Sequence, residues 1–134
     1  MNEQKQPIRE LTRAEEQVMQ VLWKIEKGMV HDILQRFPEP KPAYNTVSTI
    51  VRILEQKGFV DHKAFGRTHE YFPLVSKNDY TSNYLGNFLQ NYFENSFKSL
   101  ASFFAKEEKP SIGELEDIQK LIHEEIKNQK KSKP

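Results

Sequence analysis

Apolar side chains recur along this chain first with a helical period, then with an extended one, then with a helical one again. Ala14, Val18, Val21, Leu22 and Ile25 fall at i, i+4, i+7, i+8 and i+11, one face of a first helix. Thr12-Arg13-Ala14-Glu15 reads as its capping box, the Thr hydroxyl accepting from the N–H three residues on while Glu15 reaches back. Lys24 and Lys27 suit the negative end of the helix macrodipole, and Gly28 is the predicted stop. Val30, Ile33, Leu34 and Phe37 repeat the period in a short second helix, ended by Pro38, Pro40 and Pro42. A third helix is predicted from Ala43 to Lys57, with Val47, Ile50, Val51 and Leu54 as its apolar stripe and Gly58 just past its end.

Beyond Gly58 the period shortens. Residues 59–65 and 69–74 read as two strands around Gly66-Arg67-Thr68, a β-hairpin whose second strand tolerates Pro73 only at its end or edge. Ser76 to Asp79 is another cap, and one long helix is predicted from there to about Ala105. Of the 14 Phe and Tyr residues in the chain, eight lie in this stretch, far more than a thin domain covers with its own atoms. Lys109-Pro110 breaks the element. Ser111-Ile112-Gly113-Glu114 forms a second capping box, and Leu115, Ile118, Ile122 and Ile126 mark a last amphipathic helix. Residues 129–134 are basic and predicted to be disordered, and residues 1–10 are polar and predicted to be frayed.

Three helices followed by a hairpin is the order of a winged helix-turn-helix unit, in which the third helix reads a groove and the hairpin is the wing. The expected class is mainly α: a winged helix in residues 1–75 and a helical dimerisation segment in residues 76–128. Composition agrees. The chain has 134 residues, room for one domain with an appendage, and its mean hydropathy of −0.76 is low for a self-sufficient globule. Lys and Arg total 20 against 19 Asp and Glu, so no polybasic coat exists, only the mildly basic stretch 41–70 with five bases and three acids. Cysteine is absent, which excludes disulfides, thiolate metal sites and Cys nucleophiles. No apolar run approaches the ~20 residues that span a bilayer, and the start lacks a signal-peptide core, so a cytoplasmic protein is expected.

The polar face of the third helix carries Asn45, Thr46, Ser48, Thr49 and Arg52. Ordinary solvated faces are rich in Glu and Lys. This one is short, polar and almost free of acid, as suits a helix entering a major groove about 12 Å wide without charge repulsion. On the hairpin, Lys63 and Arg67 are placed to grip backbone phosphates. The four histidines, His31, His62, His69 and His123, lack any HxxxH or HExxH spacing, and neither Glu107-Glu108 nor Glu124-Glu125 faces its neighbour on a helix, so no metal ligand set or cofactor site is predicted. No GxSxG, Walker loop or GxGxxG occurs, leaving no support for an enzyme. For the aromatic helix two readings stand, core packing within the domain and a helix-on-helix homodimer with the last helix. The second is favoured, through Tyr84, Phe88, Tyr92, Phe93 and Phe97 with Leu115, Ile118 and Ile122. From another class, a helical protein-interaction adaptor would use the same hairpin and third helix against a partner protein.

These residues resemble the penicillinase-repressor family of bacterial winged-helix regulators, the BlaI/MecI/CopY group. LTRAEEQVMQVLW at 11–23 is similar to its first helix, TVSTIVRILEQKG at 46–58 to its recognition helix, and FVDHKAFGRTHEY at 59–71 to its wing. The resemblance implies a homodimeric repressor on a dyad operator in double-stranded DNA, with Asn45, Thr46, Thr49 and Arg52 facing the base pairs and Ser48 where a relative has a basic residue. In the β-lactam-responsive branch it further implies cleavage in the penultimate helix, triggered indirectly by a membrane-bound metalloprotease sensor. The matching bond here is Phe103-Phe104, without the family's Asn. The copper branch relies on a Cys-rich C-terminal motif, which this chain lacks. A winged-helix regulator answering another signal remains open at this point.

Overall fold

The computed structural model describes residues 8–132. Residues 1–7 of the predicted frayed start and residues 133–134 of the predicted tail lie outside that range. The elements run α1 (Arg13–Ile25), α2 (Val30–Gln35), α3 (Tyr44–Gln56), β1 (Val60–Phe65), β2 (Thr68–Pro73), α4 (Lys77–Phe93), α5 (Phe97–Glu107) and α6 (Ile112–Ser132). The chain divides into two compact units, one ending at Leu85 and one starting at Gly86, each described here by itself.

In the first unit, Val18, Met19 and Leu22 of α1, Ile33 of α2, and Val47, Val51 and Leu54 of α3 interdigitate with Phe59, Val60 and Tyr71 of the hairpin, and all are buried. Burying a Leu or Val side chain of this kind contributes about 1.5–3 kcal/mol. The capping box of α1 forms as predicted: Glu15 N–H donates to Thr12 Oγ1 at 3.2 Å, and Thr12 N–H donates to Glu15 Oε1 at 3.0 Å. The predicted buried face of α1 needs correcting, because Ala14 is exposed whereas Glu15 and Met19 are buried. Glu15 tolerates burial because Lys57 Nζ reaches its Oε2 at 2.8 Å, tying α1 to the end of α3.

Gly28 also departs from expectation. Helix α1 stops three residues earlier, with Glu26 at φ 74° and its N–H donating to the Leu22 carbonyl. Gly28 instead exchanges two backbone hydrogen bonds with Tyr71, at 2.9 and 2.8 Å, adding a short third edge to the hairpin. A Cβ there would lie 2.8 Å from Ile25 Cδ1 and 3.1 Å from Asp32 Cβ, so a larger residue requires the Ile25 side chain to shift. Gly58, at φ 86°, does end α3. Phe59 N–H donates to the Leu54 carbonyl and Gly58 N–H to the Glu55 carbonyl, a Schellman arrangement that turns the chain straight into β1.

The wing pairs β1 antiparallel to β2 with Val60 opposite Pro73 and Phe65 opposite Thr68. Its two-residue turn places Gly66 at φ 63°, a type II′ requirement at the first central position. The early turns of α4 belong to the same unit. The Tyr80 ring is buried against Trp23 and Phe59, and its hydroxyl accepts from Leu11 N–H at 2.9 Å.

The single long helix predicted from residue 76 to 105 is two helices. Glu94 and Asn95 have φ of 50° and 66°, and Ser96 caps α5 by accepting from Ser99 N–H at 3.0 Å. Asn is the non-glycine residue that best tolerates this conformation, and Ser is a strong N-cap, so the break is locally encoded by Asn95-Ser96. Helix α6 likewise continues to Ser132 where a disordered tail was predicted, with Lys130 and Lys131 placed favourably in its last turn. Among the described residues of the second unit, only Leu89 is buried. Phe88 meets Tyr92 and Phe93, and Phe93 meets Phe103, at centroid distances of 5.3 to 5.6 Å. Tyr92, Phe97, Leu121 and Ile122 nevertheless remain more than half exposed.

Candidate nucleic-acid interface

Helix α3 turns its apolar stripe inward, and this fixes what its outer face presents. Asn45, Thr46, Thr49 and Arg52 are exposed and Ser48 is half-buried, so all five predicted groove residues lie outside the core. Arg52 folds back along the helix, its Nε donating to the Ser48 carbonyl at 3.3 Å. On the wing, Lys63 and Arg67 are exposed, Lys63 Nζ standing 5.5 Å from the Phe65 ring centroid. Thr68 Oγ1 closes the turn on the Phe65 carbonyl at 2.8 Å.

The fold draws some of these together. A concavity of about 290 Å³ opens between α3, the start of α2 and the wing, and His31, Tyr44, Ser48, Arg52, Arg67 and His69 line it. No carboxylate among the described residues lines it. Two guanidinium groups, a phenol and a hydroxyl facing one acid-free hollow are donors suited to a phosphate oxygen. Lys63 lies outside this hollow, as do Asn45, Thr46 and Thr49, which alternate along α3 with the lining residues Tyr44, Ser48 and Arg52.

Sequence reasoning missed His31, Tyr44 and His69 here. Tyr44 directly precedes the polar face and was legible from helical spacing, since it shares a side with Ser48. His31 arrives only because the Gly28–Tyr71 bridge holds the start of α2 against the hairpin. Tyr71 forms part of the floor. Burial raises its phenol above the ordinary range, the Glu55 carboxylate raises it further, and the Arg52 charge opposes both, so Tyr71 stays neutral.

A second group sits at the root of the wing. His62 Nδ1 lies 3.0 Å from both carboxylate oxygens of Glu55, and His62 stacks on His69 at 4.0 Å between centroids and 9° between planes. Donor atoms of Glu55, Asp61 and His62 come within 4.8 Å of one another.

The penicillinase repressor family model matches residues 11–124, which takes in the winged helix, both helical breaks and most of α6. The chain belongs to the penicillinase repressor family. Among similar repressor-family proteins, the methicillin resistance regulatory protein MecI of Staphylococcus aureus strain N315 is 26% identical over 115 residues, 85% of this chain and 94% of that one. The MecI protein of Mammaliicoccus sciuri is 25% identical over the same length. The penicillinase repressor of Bacillus licheniformis is 26% identical over 125 residues, covering 92% of this chain and 97% of its own. A chain in the solved complex of hsRosR-S4 shares the fold with a TM-score of 0.53 at 16% identity, over 92% of this chain and 96% of that one. Three helices and an antiparallel hairpin in this order form a winged helix, as the sequence predicted. No helix among the described residues is long and apolar enough to cross a membrane.

Proposed function

We propose that this penicillinase repressor family protein is a cytoplasmic, homodimeric transcriptional repressor that occupies a dyad operator. The observation that carries the reading is the acid-free hollow joining Arg52 and Ser48 of α3 to Arg67 of the wing, beside the polar face of Asn45, Thr46 and Thr49. In this reading α3 lies in the major groove, where Arg52 reaches a base edge and the smaller side chains read neighbouring positions. Lys63 and Arg67 bind the phosphate backbone, which adds affinity without sequence information. The names of the relatives, a methicillin resistance regulator and a penicillinase repressor, point to control of resistance genes of that type.

The dimer is assigned to α4, α5 and α6. Tyr92 and Phe97 are 72 and 65% exposed, and Leu115, Ile118 and Ile122 are 37, 40 and 53% exposed, on a unit with one buried residue among those described, while Tyr84, at the end of the first unit, is 49% exposed. Phe88 and Phe93 are half-buried. Burying such a face against a second copy removes apolar area from water, which single scattered exposures would not require. Release by a cut at Phe103-Phe104 is compatible with their exposure, 50 and 37%, although a bond inside α5 must unwind locally before a protease accepts it.

The test is a fluorescence-anisotropy titration of the full chain with the duplex upstream of its own gene, in the presence of excess unrelated DNA. A competitor-resistant complex of two chains per duplex is expected. Binding that competitor abolishes equally for all sequences would overturn the repressor reading in favour of a protein-interaction adaptor.

A further inference from the structure

We infer that Glu55, Asp61 and His62 form a binding site for a divalent first-row transition ion of the zinc class, with solvent completing its coordination. Glu55 presents both carboxylate oxygens at the same 3.0 Å distance from one imidazole nitrogen. Without an ion the two groups make a forked hydrogen bond and ion pair. As a ligand set it fits. Metal–nitrogen and metal–oxygen bonds near 2.0–2.2 Å put neighbouring tetrahedral donors roughly 3.3 Å apart, close to what the unliganded pair already holds.

The surroundings supply the rest. Asp61 Oδ1 accepts from His62 N–H at 2.8 Å, which fixes one carboxylate oxygen and leaves the other available. His69 comes from the diagonal position of the hairpin, since His62 pairs with Tyr71 and Ala64 with His69. Its ring stacks parallel on His62 and buttresses the ligand imidazole. The Glu55 and His62 side chains are 31 and 28% exposed, so an ion loses only part of its hydration and has an open path in. Imidazole nitrogen with carboxylate oxygen selects zinc, nickel, cobalt or copper(II) over magnesium and calcium, and the absence of thiolate disfavours copper(I).

The ligands sit on two elements. Glu55 is in the last turn of α3, whereas Asp61 and His62 open β1, with the Gly58 turn between them. A bound ion therefore ties the root of the wing to α3 and stiffens the hairpin against it. Its consequence for operator binding rests on the repressor reading above; metal binding itself does not.

Calorimetric titration of the full chain with zinc chloride at pH 7.5, without DNA, tests the site. One saturable site per chain is expected. His62→Gln and Glu55→Gln should each weaken it at least about tenfold, the lower bound even for an outer-shell partner. His123→Gln on α6 should leave it unchanged, and circular dichroism checks that each variant is folded. Hydrogen exchange should slow in residues 60–73 when zinc is added to the native chain and not to His62→Gln. No saturable binding below millimolar zinc, or binding that survives both substitutions, would overturn the inference.

Discussion

Glu15 shows how one side chain can serve two purposes. It closes the capping box of α1 through one oxygen and meets Lys57 through the other. Burial alone would raise its carboxyl pKa, but the Lys57 hydrogen bond, the Thr12 backbone N–H and the Lys57 charge together outweigh that and lower it. A carboxyl whose folded pKa lies below its unfolded value stabilises the fold above the unfolded value, and that contribution is lost as pH falls through the folded one. Stability of the native chain should therefore fall below about pH 4.5, the ordinary glutamate value. Glu15→Gln should lower stability at pH 7 by about 1.5–3 kcal/mol, the range for a hydrogen bond to a charged group, and should flatten this acid limb. Urea unfolding midpoints from pH 3 to 7 check both. A variant that keeps the native acid limb would show that another carboxylate controls it.

Among elements, α3 and the wing are expected to divide the work of DNA binding. Arg52→Ala should cost about 1–3 kcal/mol and relax discrimination at one position of each half-site. Lys63→Ala and Arg67→Ala should weaken all duplexes alike and lower the slope of log affinity against log salt by about one unit each. Titrations against a panel of single-base operator variants at three salt concentrations separate the two behaviours. A sequence-selective loss from Arg67→Ala would move base reading into the wing. The hollow shared by Arg52 and Arg67 also predicts that the two losses are not additive, because the side chains face one site.

The whole molecule joins a well-packed winged helix to a helical unit that covers little of its own apolar surface. In the proposed dimer, two half-sites engaged by linked domains would gain affinity from effective concentration, so separating the helical units is expected to weaken operator binding without touching α3. A chain ending at Phe103, which mimics the proposed cut, loses the end of α5 and all of α6. It should sediment as a monomer at micromolar concentration and bind operator at least about tenfold more weakly than the full chain. Equal affinity of the two forms at one fixed salt concentration would refute the coupling.

The sequence by itself determined the features that depend on neighbours along the chain. Caps at Thr12, Ser76 and Ser111, the stop at Gly58, the hairpin turn at Gly66 and the stripe Val47, Val51, Leu54 are all set within a few residues, and each is present in the structure. The outward, polar side of α3 followed from that stripe by elimination. The break at Asn95-Ser96 was equally local, but the surrounding aromatics masked it, because a run of rings satisfies a helical period with or without an interruption. Tertiary structure alone decided the rest. Burial of Glu15 needed Lys57, 42 residues away, and the place of Gly28 needed the Tyr71 backbone. His31 and Arg67 share a hollow, and Glu55 meets His62, only because the Schellman turn and the hairpin register bring separate elements face to face. Periodicity reports which side of an element is buried. It carries no information about which distant residue will stand opposite, and the donor constellations of this protein are made of such opposites.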